Sequence, residues 1–420
     1  MKLTRRSYLS LSAASIAGLA ACRSAASQTA PGVAGLPSST GALPDLTSFP
    51  LGEGVTYLNC GSQFPVSVQA RKAIDEYLDH KQDFGATDTY RLNDNGPIEK
   101  FAKLVNADPE ELSYVQSTTT GEMMVVRSLG LPEQGARVVC DTLHFFGSLP
   151  LYADLGKKGC DIGWVKAVDG RIRLEDLDKA ITPGTKLVSL SLVSTINGFE
   201  QDLKAVCDLA HSRGALVYAD IIHAAGCVPV DLHASGVDFA ACASYKWLMG
   251  EFGMGFLYAR KGVWDQLERT NWGYYGMSSF SPHIYPYDAP GDTIVDYGFQ
   301  DSANGWFAVG THSHTLVAHL NASLDYLLEI DVENIQAYTL PMIERLKEGM
   351  AEAGLSVLTP PESKTPLVTG VYENAYAKWN DAFKAAGINT TVSRHRMRPS
   401  VSLFNTMDDV EHFLEVLTSV

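Results

Sequence analysis

The sequence predicts an α/β protein in which a large domain on a mostly parallel sheet is followed by a smaller α+β domain. Two observations predict it. From about Pro109 to Ala259, short apolar runs of strand length alternate with stretches of helical spacing, the pattern of strands covered by helices on both faces. After Thr311 this alternation gives way to two long helical stretches and then to short strand–helix units. The length of 420 residues is enough for two cores, and 45% hydrophobic against 19% charged residues is a globular balance.

The chain opens outside the fold. Thr4-Arg5-Arg6-Ser7-Tyr8-Leu9 reads as a twin-arginine export signal. The apolar run Leu9 to Ala21 is too short to span a bilayer comfortably. It ends in Leu19-Ala20-Ala21-Cys22, a lipobox pattern in which Cys22 is lipidated after cleavage. The expectation is a signal over 1–22, export by the twin-arginine route, and a periplasmic or membrane-tethered lipoprotein. Residues 23–45, rich in Ala, Ser, Gly, Thr and Pro, read as a flexible tether.

The elements then follow in order. Arg137 to Cys140 reads as a short buried strand, and Gly147 to Gly156 as a helix closed by glycine. Lys186 to Leu192 alternates as a strand, and Leu203 to Arg213 has helical spacing that stops at Gly214. Ala215–Ala219, Val237–Ala243 and Gly255–Ala259 are further strands. Trp272 to Tyr287 is aromatic and loop-like. Helices are expected over His314 to Ile330, Val332 to Ala353 and Met407 to Leu417, the last capped by Asn405-Thr406. Leu367–Thr369 and Val401–Leu403 are strand candidates. The large domain covers 46–310 and the small one 311–420.

A net charge of −15 without a basic block excludes nucleic acid as a partner. The six cysteines after Cys22 form no C-x-x-C pair and read as small buried hydrophobes. His312-Ser313-His314 offers two metal-ligand types, but no third ligand lies near them in sequence, and no metal is expected.

Ligands of open α/β sheets bind beyond the carboxyl ends of the strands. Three features fall there. Ser117-Thr118-Thr119-Thr120-Gly121 opens a helix and offers hydroxyls and backbone N–H groups to an anion. Asp220 ends one strand and is placed to keep a pyridine nitrogen protonated. Lys246 follows a neighbouring strand, where partial desolvation favours imine formation. Phosphate cup, pyridinium carboxylate and imine lysine together describe a site for pyridoxal 5′-phosphate.

Three segments carry a family resemblance: Tyr218-Ala219-Asp220-Ile221-Ile222-His223-Ala224, Ala243-Ser244-Tyr245-Lys246-Trp247-Leu248, and Gly253-Met254-Gly255-Phe256-Leu257-Tyr258. Over about 55–420 the chain resembles the class V aminotransferases of fold-type I, which include cysteine desulfurases, selenocysteine lyases, isopenicillin N epimerase and kynureninase-like proteins. The resemblance implies a seven-stranded, mostly parallel sheet, with the N-terminal segment of the large domain packing on the small one. It implies a homodimer with a shared active site. It assigns Lys246 as the imine lysine and proton carrier, Asp220 to the pyridine nitrogen, and His223 to the ring hydroxyl. Thr119 and Thr120, helped by Ser244 or Tyr245, would cradle the phosphate. His144, with Phe145 as runner-up, would stack on the ring. Thr311 would reach the partner's phosphate, and Arg398 would bind the substrate carboxylate.

The chain departs from the family pattern at three places. Thr195 stands where many relatives have Asn beside the ring oxygen, and Ile221 and Ile222 are bulky. Thr390 to Met397 contains no cysteine, whereas desulfurases carry a mobile catalytic Cys there. The expected function is therefore an enzyme acting on an amino acid or related amine, aminotransferase- or epimerase-like. The alternatives are a C–S or C–Se lyase, or an exported lipoprotein that binds the cofactor without turnover. An epimerase needs a second base, for which Tyr90, Tyr274, Tyr275, His312 and His314 are the candidates. The twin-arginine route, which carries folded proteins, suits a chain that binds its cofactor before export.

Overall fold

A computed structural model describes residues 43–83 and 90–420, all within one compact unit, Gly41–Val420. The expected signal, Cys22 and nearly all of the tether lie outside the described residues.

Strands β1 (Thr56–Leu58), β2 (Leu112–Val115), β3 (Arg137–Asp141), β4 (Asp161–Val165), β5 (Thr185–Ser191), β6 (Leu216–Asp220), β7 (Phe239–Ala243) and β8 (Gly255–Ala259) come first in the chain. Seven of them form the main sheet, in the order β2-β8-β7-β6-β5-β3-β4. The run from β7 to β4 is parallel throughout, and β8 alone opposes its neighbours. Alternate side chains feed two cores: Val217 and Ala219 of β6 pack on one face, and Tyr218 packs on the other. Both faces are dry because helices cover both, as a parallel sheet requires.

The aromatic stretch expected as a loop is in part an antiparallel hairpin of β9 (Met277–Pro282) and β10 (Val295–Phe299). It leaves Phe280, Ile284, Tyr287, Ile294 and Tyr297 exposed. The remaining strands are β11 (Ser356–Val357), β12 (Gly370–Val371), β13 (Ile388–Ser393) and β14 (Arg396–Arg398). With β1 they form a second sheet, ordered β1-β13-β14-β12-β11, so the N-terminal segment does join the C-terminal sheet. The strand candidates at 367–369 and 401–403 are buried but irregular: besides the bridge Leu367↔Ser400, the Val368 N–H donates to the Pro399 carbonyl and the Val401 N–H to the Pro366 carbonyl. Their apolarity reflects burial and not ladder pairing: Leu367 and Leu403 lie in the core of the main sheet, Val368 and Val401 in the C-terminal core.

The helix His314–Ile330 has the expected bounds. Its buried face, Val317, Leu320, Leu324 and Leu327, lies in the core of the main sheet. The C-terminal core begins later, with Met342, Ile343 and Leu346. The change of sequence character at Thr311 therefore precedes the change of core.

Candidate active site

The carboxyl ends of the parallel strands meet at one edge. Asp220 is the last residue of β6, Ser191 of β5 and Asp141 of β3. Lys246 lies in the turn after β7. The helix Thr118–Ser128 starts beside it, because Thr118 Oγ1 accepts the Ala243 N–H at 3.1 Å.

The lysine turn is held from several sides. The Met249 N–H donates to the Lys246 carbonyl at 2.9 Å, and Gly250 N–H to the Ser244 carbonyl at 2.8 Å. Met249 adopts φ 55°, a left-handed conformation that a non-glycine residue keeps only when its surroundings impose it. The imposing contacts come from the helix His314–Ile330: His319 Nε2 and Ser323 Oγ each donate to the Met249 carbonyl at 2.9 Å. On the other side Gly226, at φ +94°, lets the turn after Asp220 approach so closely that a Cβ there would lie 2.4 Å from the Trp247 carbonyl oxygen.

Within this frame Lys246 is 7% exposed, and its Nζ lies 2.8 Å from His223 Nε2. Trp247 Nε1–H donates to His223 Nδ1 at 3.4 Å. A neutral imidazole accepting at Nδ1 carries its proton on Nε2, and the lysine amine accepts that proton only in its uncharged form. Burial agrees: it brings Lys246 down to about 8, against the opposing pull of Asp220. Burial, reinforced by the charges of Lys246 and Arg398, holds His223 well below the usual histidine range. Asp220 is pushed up to about 6 by burial, against the attraction of His144. Its Oδ1 accepts the Ile222 N–H at 3.0 Å, and its Oδ2 has no hydrogen-bond partner among the described residues. A buried carboxylate with a vacant oxygen fits a cationic ring nitrogen.

The phosphate end is built by the helix N-terminus. Ser117 caps it by accepting the Thr120 N–H at 3.1 Å. Thr119 and Thr120 are half-buried there, and the Thr119 hydroxyl has no partner among the described residues. Ser244 does not share this role: it is fully buried and its hydroxyl donates to the Glu251 and Met254 carbonyls at 2.9 and 2.8 Å. Tyr245 is half-buried, stacks on Phe252 at 4.3 Å and leaves its hydroxyl without a partner among the described residues.

His144 is also placed otherwise than expected. Its ring is wholly enclosed, with Nδ1 2.9 Å from Ser191 Oγ and Nε2 2.8 Å from Glu122 Oε1, and so offers no open face for stacking. Phe145 beside it is half-buried. Burial alone would raise Glu122 and lower His144, but their mutual attraction reverses both shifts, leaving a buried imidazolium–carboxylate pair. Ser148 and Tyr152 also donate to the Glu122 carboxylate. The lone residue Glu122, one turn into an apolar helix, gave no sequence signal for this network.

Arg398 approaches from the second sheet. Its Nη1 donates to Thr195 Oγ1 at 2.5 Å and to the Thr195 carbonyl at 3.0 Å, and its Nη2 to Ser62 Oγ at 3.1 Å. Thr195 thus braces the arginine. Arg398 Nε is buried without a partner among the described residues, and burial lowers the guanidinium to about 10. An open donor on a desolvated cation suits a carboxylate. Thr311 is exposed and contacts none of these groups through its side chain. The structure therefore brings together Lys246, Asp220, His223, Thr119, Thr120, Thr195 and Arg398. These residues fit pyridoxal phosphate: a helix N-terminus for its phosphate, a carboxylate for its ring nitrogen and, for its aldehyde, a buried amine that gives up its proton more readily than an exposed lysine.

Comparison with known proteins agrees. The pattern of the aminotransferase class-V family matches residues 95–413. The chain is 28% identical over 312 residues to a probable cysteine desulfurase of Methanothermobacter thermautotrophicus, covering 71% of this chain and 72% of that protein. The apo cysteine desulfurase of Thermococcus onnurineus NA1 superposes with a TM-score of 0.78 at 21% identity, covering 90% of this chain and 98% of that one. The cystine C–S lyase C-DES, solved with its product cysteine persulfide, gives 0.76 at 19% identity, covering 88% and 99%. The chain belongs to the aminotransferase class-V family and is a pyridoxal phosphate-dependent enzyme.

Proposed function

We propose that this enzyme is a C–S lyase, cleaving the Cβ–S bond of a cysteine-derived amino acid and releasing the sulfur with the product. The carrying observation is where the thiols are. The segment Thr390–Met397 is the hairpin of β13 and β14 and holds no cysteine, and all six cysteines of the described residues are buried. A desulfurase must pass sulfur to its own accessible thiol. No described residue supplies one, while a lyase needs none. The relatives named for sulfur chemistry support this reading over the aminotransferase- or epimerase-like one.

The chain's own groups divide the work. The free Nε of Arg398 grips the substrate carboxylate, with Thr195 and Ser62 fixing the fork's direction. Lys246, whose charged form burial disfavours, takes the α-proton. Asp220 keeps a proton at the ring nitrogen. Pyridoxal phosphate, when bound, supplies the electron sink for the charge left on the α-carbon. An S-substituted cysteine and water then yield a thiol, pyruvate and ammonia.

The test is incubation of the holoenzyme with L-cystine and S-alkylcysteines. Pyruvate and a thiol or persulfide should appear in equal amounts. Lys246→Ala should abolish turnover, and Arg398→Ala should raise KM on the order of a hundredfold. Amino-group transfer or racemisation without sulfur release would sink the lyase reading.

We further propose a homodimer and export with a lipid tether at Cys22. The exposed apolar hairpin of β9 and β10, with Trp272 and Tyr274 beside it, supports the first. The Arg5-Arg6 motif and the lipobox support the second.

A further inference from the structure

One cluster of metal-ligand side chains lies outside the residues assigned above. Asp94 stands just before the helix Gly96–Leu104, and His312 and His314 stand at the start of the helix His314–Ile330. The Nε2 atoms of both histidines lie 3.7 Å from the same oxygen, Asp94 Oδ1. The three ligand atoms lie within 4.8 Å of one another. A separation of 3.7 Å is too long for a hydrogen bond. It is near the roughly 3.4 Å between two ligand atoms on a tetrahedral zinc, whose bonds are about 2.0–2.2 Å.

A second observation points the same way. Asp94 Oδ1 and His312 Nε2 are both shielded from solvent, and neither has a hydrogen-bond partner among the described residues. Two buried polar atoms facing each other without a bond need an explanation. A second group, Asp108, Glu111 and His233, makes the contrast: there His233 Nε2 sits 2.7 Å from Glu111 Oε2 and the Lys261 N–H donates to Glu111 Oε1 at 2.9 Å. That cluster satisfies itself.

The ligands are also held in place. The His312 ring lies between Tyr114 at 4.7 Å and Tyr275 at 5.3 Å. His314 meets the edge of Tyr77 at 6.3 Å. The Tyr114 hydroxyl donates to the Asp94 carbonyl at 2.8 Å and fixes that segment.

We propose that Asp94, His312 and His314 bind one divalent transition-metal ion, zinc first among them, with a further coordination position open to water. Two imidazoles and one carboxylate are ligands that zinc accepts, and three protein ligands leave a position free. The ion joins the connection before the helix Gly96–Leu104 to the start of the helix His314–Ile330, two elements already packed together.

The experiment uses the tag-free full-length holoenzyme, stripped with a chelator and titrated calorimetrically with zinc chloride. Wild type should bind one equivalent per chain more than the Asp94→Asn/His312→Ala double variant, and His233→Ala should bind as wild type does. Retention of the cofactor's visible absorbance shows that each variant is folded. If wild type takes up no more zinc than the double variant, or none at all, the site does not exist. Loss of the extra equivalent in His233→Ala alone would place the ion elsewhere and equally overturn the assignment.

Discussion

At the scale of single residues, the site is a set of charges kept where water is not. Lys246 is the clearest case. Its usual value near 10.5 falls to about 8 because burial disfavours the ammonium. In the apoprotein this is a cost of folding: it is fully present below about pH 8 and vanishes as pH rises toward the unfolded value. Removing the amine by Lys246→Met should therefore stabilise the apoprotein at pH 7, by on the order of 3 kcal/mol at most. The same shift governs cofactor loading. The rate at which apoprotein acquires visible absorbance should rise about tenfold per pH unit below 8 and flatten above it. A profile that keeps climbing to pH 10 would show that the lysine is not desolvated.

At the scale of elements, the lysine turn depends on two close approaches. Gly226 allows one of them. Gly226→Ala would set a methyl against the Trp247 carbonyl at 2.4 Å, in a left-handed conformation that alanine resists. Backbone faces backbone there, so no flexible side chain can move aside. The variant should lose about 2 kcal/mol or more in denaturant unfolding and bind the cofactor weakly. Gly214→Ala, where a Cβ meets nothing within 4 Å, is the control for left-handed strain alone. Equal losses in the two variants would remove the close approach as the cause.

The elements also show what a sequence reveals. β5, β7 and β8 are buried along their length, so their apolar runs were legible. β4 was not, because it is an edge strand in which only Val165 is buried. β13, Ile-Asn-Thr-Thr-Val-Ser, is half-exposed and polar, and only its partners β1 and β14 identify it.

At the scale of the whole molecule, the same division holds for the site. Asp220 ends β6 and Lys246 follows its neighbour β7, and chain order alone places them together. Asp94 meets His312 only because two distant helices pack, and no spacing rule connects them. The hydroxyl of Ser244 was legible as a donor but not in its direction, which the turn after β7 sets inward. Assembly and address are properties of the entire chain. Sedimentation velocity should give a dimer, and cell fractionation should place wild type with membranes and Cys22→Ser in the soluble periplasmic fraction. A monomer that turns over at full rate would remove the shared active site.

The helix His314–Ile330 touches both ends of this chemistry. Its first residue is a ligand of the proposed ion, and His319 and Ser323, within its next turns, hold the Met249 carbonyl behind the lysine. One continuous helix thus carries both a ligand of the proposed ion and the donors that hold the lysine turn. If the two ends are coupled through the helix, zinc titration of the holoenzyme should shift its visible absorbance band, and an unmoved band would show that they act independently.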